Sequence, residues 1–238
     1  MAGSASLDDV GDRGLGQQAT GADNDEMVGG DGHLVHQVIR HEHGPALGFP
    51  AMSLGNGSSL MAMRTTNLGE AEGLPTIEWS EVQTQLADLL THDDPRSPNR
   101  STFWLTTLNV DGSPHVTSVG ALWHAGSCWF QTGERTRKAK NVARDPRCSV
   151  SVATKGFDVM VAGEARRVAD PKIVAEIAAL WAESGWPAQP DDSGAGITAP
   201  FNAPTLGPPP WFVYEVKPRT ATAVGTAEET PGSTRWRF

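Results

Sequence analysis

Residues 128–147 read CWFQTGERTRKAKNVARDPR. The opening residues, Cys128 through Thr132, have the aromatic and apolar make-up of a strand. Thr132-Gly133 ends that strand, Thr136 stands where a helix N-cap is expected, and Asp145-Pro146 closes the helix. Between positions 135 and 147 lie six basic residues, Arg135, Arg137, Lys138, Lys140, Arg144 and Arg147, on a chain whose formal net charge is -9. The first N–H groups of a helix have no internal partner and sit at the positive end of its dipole. A phosphate docks there readily, and flanking Arg and Lys add charge-assisted bonds. A solvated basic helix face is the plain alternative; the crowding of cations directly behind Thr132-Gly133 favours an anion site.

Outward from this stretch the pattern is mostly that of short strands. Residues 103–109 (FWLTTLN), a turn at Asp111-Gly112, residues 114–123 (PHVTSVGALW), a turn at Ala125-Gly126 and residues 127–132 predict a three-stranded antiparallel meander. Residues 148–153 and 158–168 predict two more strands joined through Thr154-Lys155-Gly156-Phe157, and residues 211–216 and 220–226 two closing strands. Residues 77–90 place Ile77, Val82, Leu86, Leu89 and Leu90 on one helical side. Asp170-Pro171 predicts a second long helix with Ile173, Val174, Ile177, Leu180 and Trp181 as its apolar stripe, stopped by Gly185 and Pro187. Residues 185–210 read as a long loop of the kind used for lids and partner contacts. The fold class expected is mainly β with flanking helices, a small closed barrel without a free sheet edge.

Composition sets the domain limits. All eight Trp, the only Tyr and six of the seven Phe lie beyond Met63, whereas residues 1–62 hold 12 of the 26 Gly and a formal charge of 2 minus 8, or -6. Such a segment has too few large apolar side chains to offset its chain entropy. One domain is therefore expected over about 70–238, behind a disordered or artefactual extension at 1–62, with Met63 a plausible start. No charged-then-apolar leader and no run long enough for a membrane crossing are apparent, so a cytoplasmic protein with no membrane partner is expected. Cys128 and Cys148 fall in predicted strands without metal-ligand spacing and read as reduced core residues. His33, His36, His41 and His43 are too loosely spaced for a metal site, and none is expected. Overall negative charge argues against nucleic acid as a partner.

The segment Thr136-Arg137-Lys138 to Asp145-Pro146 resembles the phosphate-binding element of the pyridoxamine 5'-phosphate oxidase-like flavin-binding split β-barrels. The likeness extends to residues 103–109, Asp111-Gly112 and residues 114–123, and residues 234–238 (TRWRF) resemble the end of actinobacterial members that use FMN or the deazaflavin coenzyme F420. What the resemblance implies is a split barrel (FMN-binding split barrel-like) acting as an oxidoreductase. It would transfer a hydride from reduced coenzyme F420 or FMN to an unsaturated small-molecule substrate, as a homodimer with the cofactor between subunits. It further implies cofactor contacts at His115, Val116, Thr117, Ser118, Thr132, Thr136, Arg137, Lys138 and Asn141. His115 stands out as a titratable group beside the ring, although a structural role is the more common one for such a residue. Lys140 and Arg144 would suit the acidic tail of coenzyme F420, which tilts the choice that way. Arg235-Trp236-Arg237 is either a cofactor-edge or dimer contact or surface packing. A non-enzymatic flavin, deazaflavin or haem-binding module is the alternative. Pyridoxamine 5'-phosphate oxidase activity is disfavoured, because no counterpart of that enzyme's C-terminal extension is recognisable between Trp211 and Phe238. No catalytic acid or base is assigned, in keeping with a cofactor that carries the hydride itself.

Overall fold

The computed structural model describes residues 63–92, 101–201 and 206–238. The extension at 1–62 and its four histidines lie outside the described residues. In chain order the elements are β1 (Arg64–Asn67), α1 (Trp79–His92), β2 (Phe103–Leu108), β3 (Pro114–Val119), β4 (Ala121–His124), β5 (Ser127–Thr132), α2 (Arg137–Arg144), β6 (Arg147–Ala153), β7 (Phe157–Val168), α3 (Pro171–Glu183), β8 (Gln189–Pro190), β9 (Ile197–Thr198), β10 (Phe212–Gly225) and β11 (Ser233–Arg237). The main sheet is antiparallel and runs β1-β11-β10-β7-β6-β2-β3, with β5 on β10 and β4 on β5. This is a mainly β split barrel with three helices among the described residues.

Period-two alternation builds its interior. Phe103, Leu105 and Thr107 of β2, Val150 and Val152 of β6, and Phe157, Val159, Val161 and Ala165 of β7 all point inward and are buried. α1 closes one side with Val82 and Leu86, and Trp79 packs between Trp236 and Phe238 at 5.0 and 5.1 Å between ring centres. A second cluster lies outside the barrel, where Val174, Ile177, Ala178 and Trp181 of α3 meet Leu122, Trp129, Trp211 and Val213. α3 starts as its sequence dictates, with the Asp170 carboxylate accepting the Lys172 N–H at 2.9 Å ahead of Pro171. Cys128 and Cys148 are unpaired and lie in β5 and β6.

Six expectations are corrected. The single strand over 114–123 is broken at Gly120: β3 pairs with β2, while β4 pairs with β5 through a tight turn with positive φ at both Ala125 (50°) and Gly126 (76°). The two closing strands are one, β10, whose edge is shared by β5 along Phe212–Val216 and β11 along Thr220–Val224. Pro218, which has no N–H to donate, sits at the irregularity between them, opposite Gly163. Arg235-Trp236-Arg237, read as a cofactor-edge or dimer contact or as surface packing, lies in strand β11 with Trp236 fully buried. The loop over 185–210 carries the small β8–β9 hairpin and contributes Ala188 and Ile197 to the second cluster. The barrel is also not edgeless, since the path of strands ends at β1 and at β3. β1 takes the sheet to Arg64, upstream of the boundary expected near residue 70.

Candidate functional site

β5 delivers the chain into α2 through a turn that leaves no freedom. The Thr136 hydroxyl donates to the Gly133 carbonyl at 2.9 Å, so in its 2.9 Å contact with Thr132 the proton comes from Thr132. The same oxygen accepts the Ala139 N–H at 3.3 Å as the N-cap of α2. A Cβ on Gly133 would stand 2.5 Å from the Leu206 carbonyl oxygen, so glycine is required for the segment at 206 to pack on the turn.

α2 lies across the barrel end, with Ala139 and Val142 buried in the main core. Asn141 fixes it there: its amide donates to Thr107 Oγ1 at 3.1 Å and Asn109 Oδ1 at 3.3 Å, and its carbonyl accepts from Arg144 at 3.4 Å. Arg144 also donates to the Leu108 carbonyl. Both residues are thus engaged within the protein. Lys138 is different. It is only 6% exposed although it carries a charge. Burial lowers its pKa. A cation taken out of water without a partner is costly, and a bound anion removes that cost. Arg137, one residue earlier, is exposed and lines a cleft of ≈ 330 Å³ with Asn109, Val110 and Asp111 at the β2–β3 hairpin tip. Ser113 donates to the Asp111 carboxylate and holds it below its ordinary pKa.

The four expected residues of β3 divide between two sides. His115 and Thr117 pair with Thr107 and Leu105 on the inward side and are half-buried, whereas Val116 and Ser118 pair with Thr106 and Trp104 on the outward side. What they share is a free edge: β3 ends the sheet, and its far side carries no strand among the described residues. Trp236 belongs to the core, while Arg235 and Arg237 lie outward at the opposite end of the sheet, with Arg237 directly across from Arg64.

The sequence analysis missed Gln131, whose side-chain oxygen is buried with no hydrogen-bond partner. A lone Gln in an aromatic strand carries no pattern that would mark it.

The described residues thus form a mainly β split barrel with a basic, capped helix start. Residues 94–199 match the family model described as pyridoxamine 5'-phosphate oxidase, and this segment belongs to the pyridoxamine 5'-phosphate oxidase-like split-barrel family. Similar solved structures include an F420 reductase (17% identity, 50% of this chain and 87% of that one, TM-score 0.37). They also include PhzG from Burkholderia lata 383 in complex with tetrahydrophenazine-1-carboxylic acid (13%, 67% and 84%, TM-score 0.43). A haem-binding protein from Mycobacterium smegmatis matches at 16% over 65% of this chain and 57% of that one, with a TM-score of 0.43. No curated protein matches.

Proposed function

We propose that the protein is an oxidoreductase that transfers a hydride from reduced coenzyme F420 or FMN to an unsaturated small molecule. The observation that carries this reading is Lys138, a lysine 6% exposed at the capped start of α2, next to the exposed Arg137. A cofactor phosphate fits it. Arg137 and the first N–H groups of α2 would hold the same phosphate, with Thr136 capping the helix behind them, and the outer edge of β3 would lie along the ring. The bound cofactor supplies the hydride; the chain supplies position and a surface from which water is excluded. Arg144, one of the charges suited to the acidic tail of coenzyme F420, is occupied by Leu108 and Asn141, so FMN and coenzyme F420 stand level.

The outward face of the sheet supports a homodimer. Trp104 is 50% exposed, Val116 56% and Met160 44%, and they lie on β2, β3 and β7 with Ser118, Ser149 and Ser151 between them. An apolar patch on a sheet face of this kind is covered in most soluble proteins, and a second copy is the partner we assign. Its proximity to β3 would put the cofactor between subunits.

Titration of the protein with FMN and with coenzyme F420, followed by fluorescence quenching, tests the cofactor. Arg137→Ala and Lys138→Ala should each weaken binding about ten- to a hundredfold while the fold is kept. Unchanged affinity in both would place the phosphate elsewhere. Tight binding without oxidation of the reduced cofactor by quinones or enones would favour the binding-module alternative.

A further inference from the structure

We infer that the side-chain amide of Gln131 receives the imide edge of the bound ring, its carbonyl accepting the ring N–H and its NH₂ donating to the neighbouring ring carbonyl. This rests on the cofactor reading above and adds a recognition residue to it. On the outer face of β5 the polar groups are otherwise satisfied. Ser127 donates to Glu215 at 2.9 Å, and the Trp129 indole donates to the His124 carbonyl at 3.0 Å. Gln131 alone on that face has a buried oxygen without a donor, on a side chain 7% exposed. Folded proteins seldom leave such an acceptor unmatched unless something outside the chain meets it.

Its surroundings point to a planar ligand. The β4–β5 pairing begins at Ala121 and Phe130, so Gln131 is the first residue of β5 beyond it, beside the point where the chain leaves β3. The residue at that point is Gly120, where a Cβ would stand 3.4 Å from Gln131 Nε2, so the amide lies directly against the backbone between β3 and β4. At the end of β3 the chain thus presents a primary amide with one acceptor and one donor in a plane, the acceptor unmatched. A ring lactam or imide has the matching pair, N–H beside C=O. Isoalloxazine and deazaflavin rings both carry it, and haem does not.

The test uses the full chain, the Gln131→Leu variant, and three probes: FMN, FMN methylated at the imide nitrogen, and coenzyme F420. The unsubstituted protein should bind FMN roughly tenfold more tightly than the methylated form. Gln131→Leu should weaken FMN and coenzyme F420 by a similar factor and erase the discrimination against the methyl group. The melting temperature of the cofactor-free variant should hold or rise, because a buried unmatched acceptor is removed. Retention of FMN affinity within about twofold, or of the discrimination, overturns the inference while leaving the cofactor reading intact provided that Lys138→Ala still weakens binding. A fall in the melting temperature of the cofactor-free variant also overturns it, since the amide would then have a structural partner. Failure of the unsubstituted protein to bind any probe overturns both.

Discussion

At the scale of single residues, Lys138 carries a desolvation cost in the cofactor-free protein. Replacement by Met keeps the length and apolar stem and removes the desolvated charge, so the cofactor-free Lys138→Met protein should be at least as stable as the original at neutral pH. The same residue gives a pH signature. Burial lowers its folded-state pKa below the ordinary 10.5, so between those two values the unfolded chain binds more protons than the folded one. Stability of the cofactor-free protein should therefore rise as pH is raised through that window. Denaturant titrations near neutral pH and near pH 10 should show this rise in the original protein and its loss in Lys138→Met.

Among the elements, β10 depends on one close approach. Its bulge at Pro218 brings the Lys217 carbonyl oxygen to within 2.1 Å of where a Cβ on Gly163 would lie. The two strands can run together for twelve register pairs only because β7 has glycine there. Gly163→Ala should force them apart and destabilise the domain by about 1–3 kcal/mol or more, read from the midpoint of denaturant unfolding. An alanine tolerated without loss would mean that the bulge relaxes freely.

For the molecule as a whole, the outward sheet face and the chain ahead of β1 are the open questions of assembly. Trp104→Glu combined with Met160→Glu puts two charges on the proposed interface without touching the core. Light scattering should then give a monomer, and cofactor affinity should fall with it if the groove lies between subunits. A dimer that survives both charges would place the contact on another face. A chain that begins at Met63 keeps β1 and every other described element. It should unfold within a few degrees of the full chain and bind cofactor equally well; a larger drop in melting temperature would give residues 1–62 a part in the fold.

The sequence by itself determined the local signals. Thr136 as a cap, Asp170-Pro171 as a helix start, the Asp111-Gly112 and Ala125-Gly126 turns and the strand over 127–132 were all legible, because each depends on residues within a few positions of one another. The cationic helix start was legible for the same reason. Only the tertiary structure decided what depends on distant neighbours. Gly120 breaks a strand because β3 and β4 belong to different partners, and β10 stays whole because β5 and β11 share its edge. Residues 233–237 become a strand because β1 and β10 flank them. Lys138 and Gln131 gain their meaning in the same way: the burial of a charged stem, or of an amide oxygen without a hydrogen-bond partner, is a property of what surrounds a side chain, and no spacing along the chain encodes it.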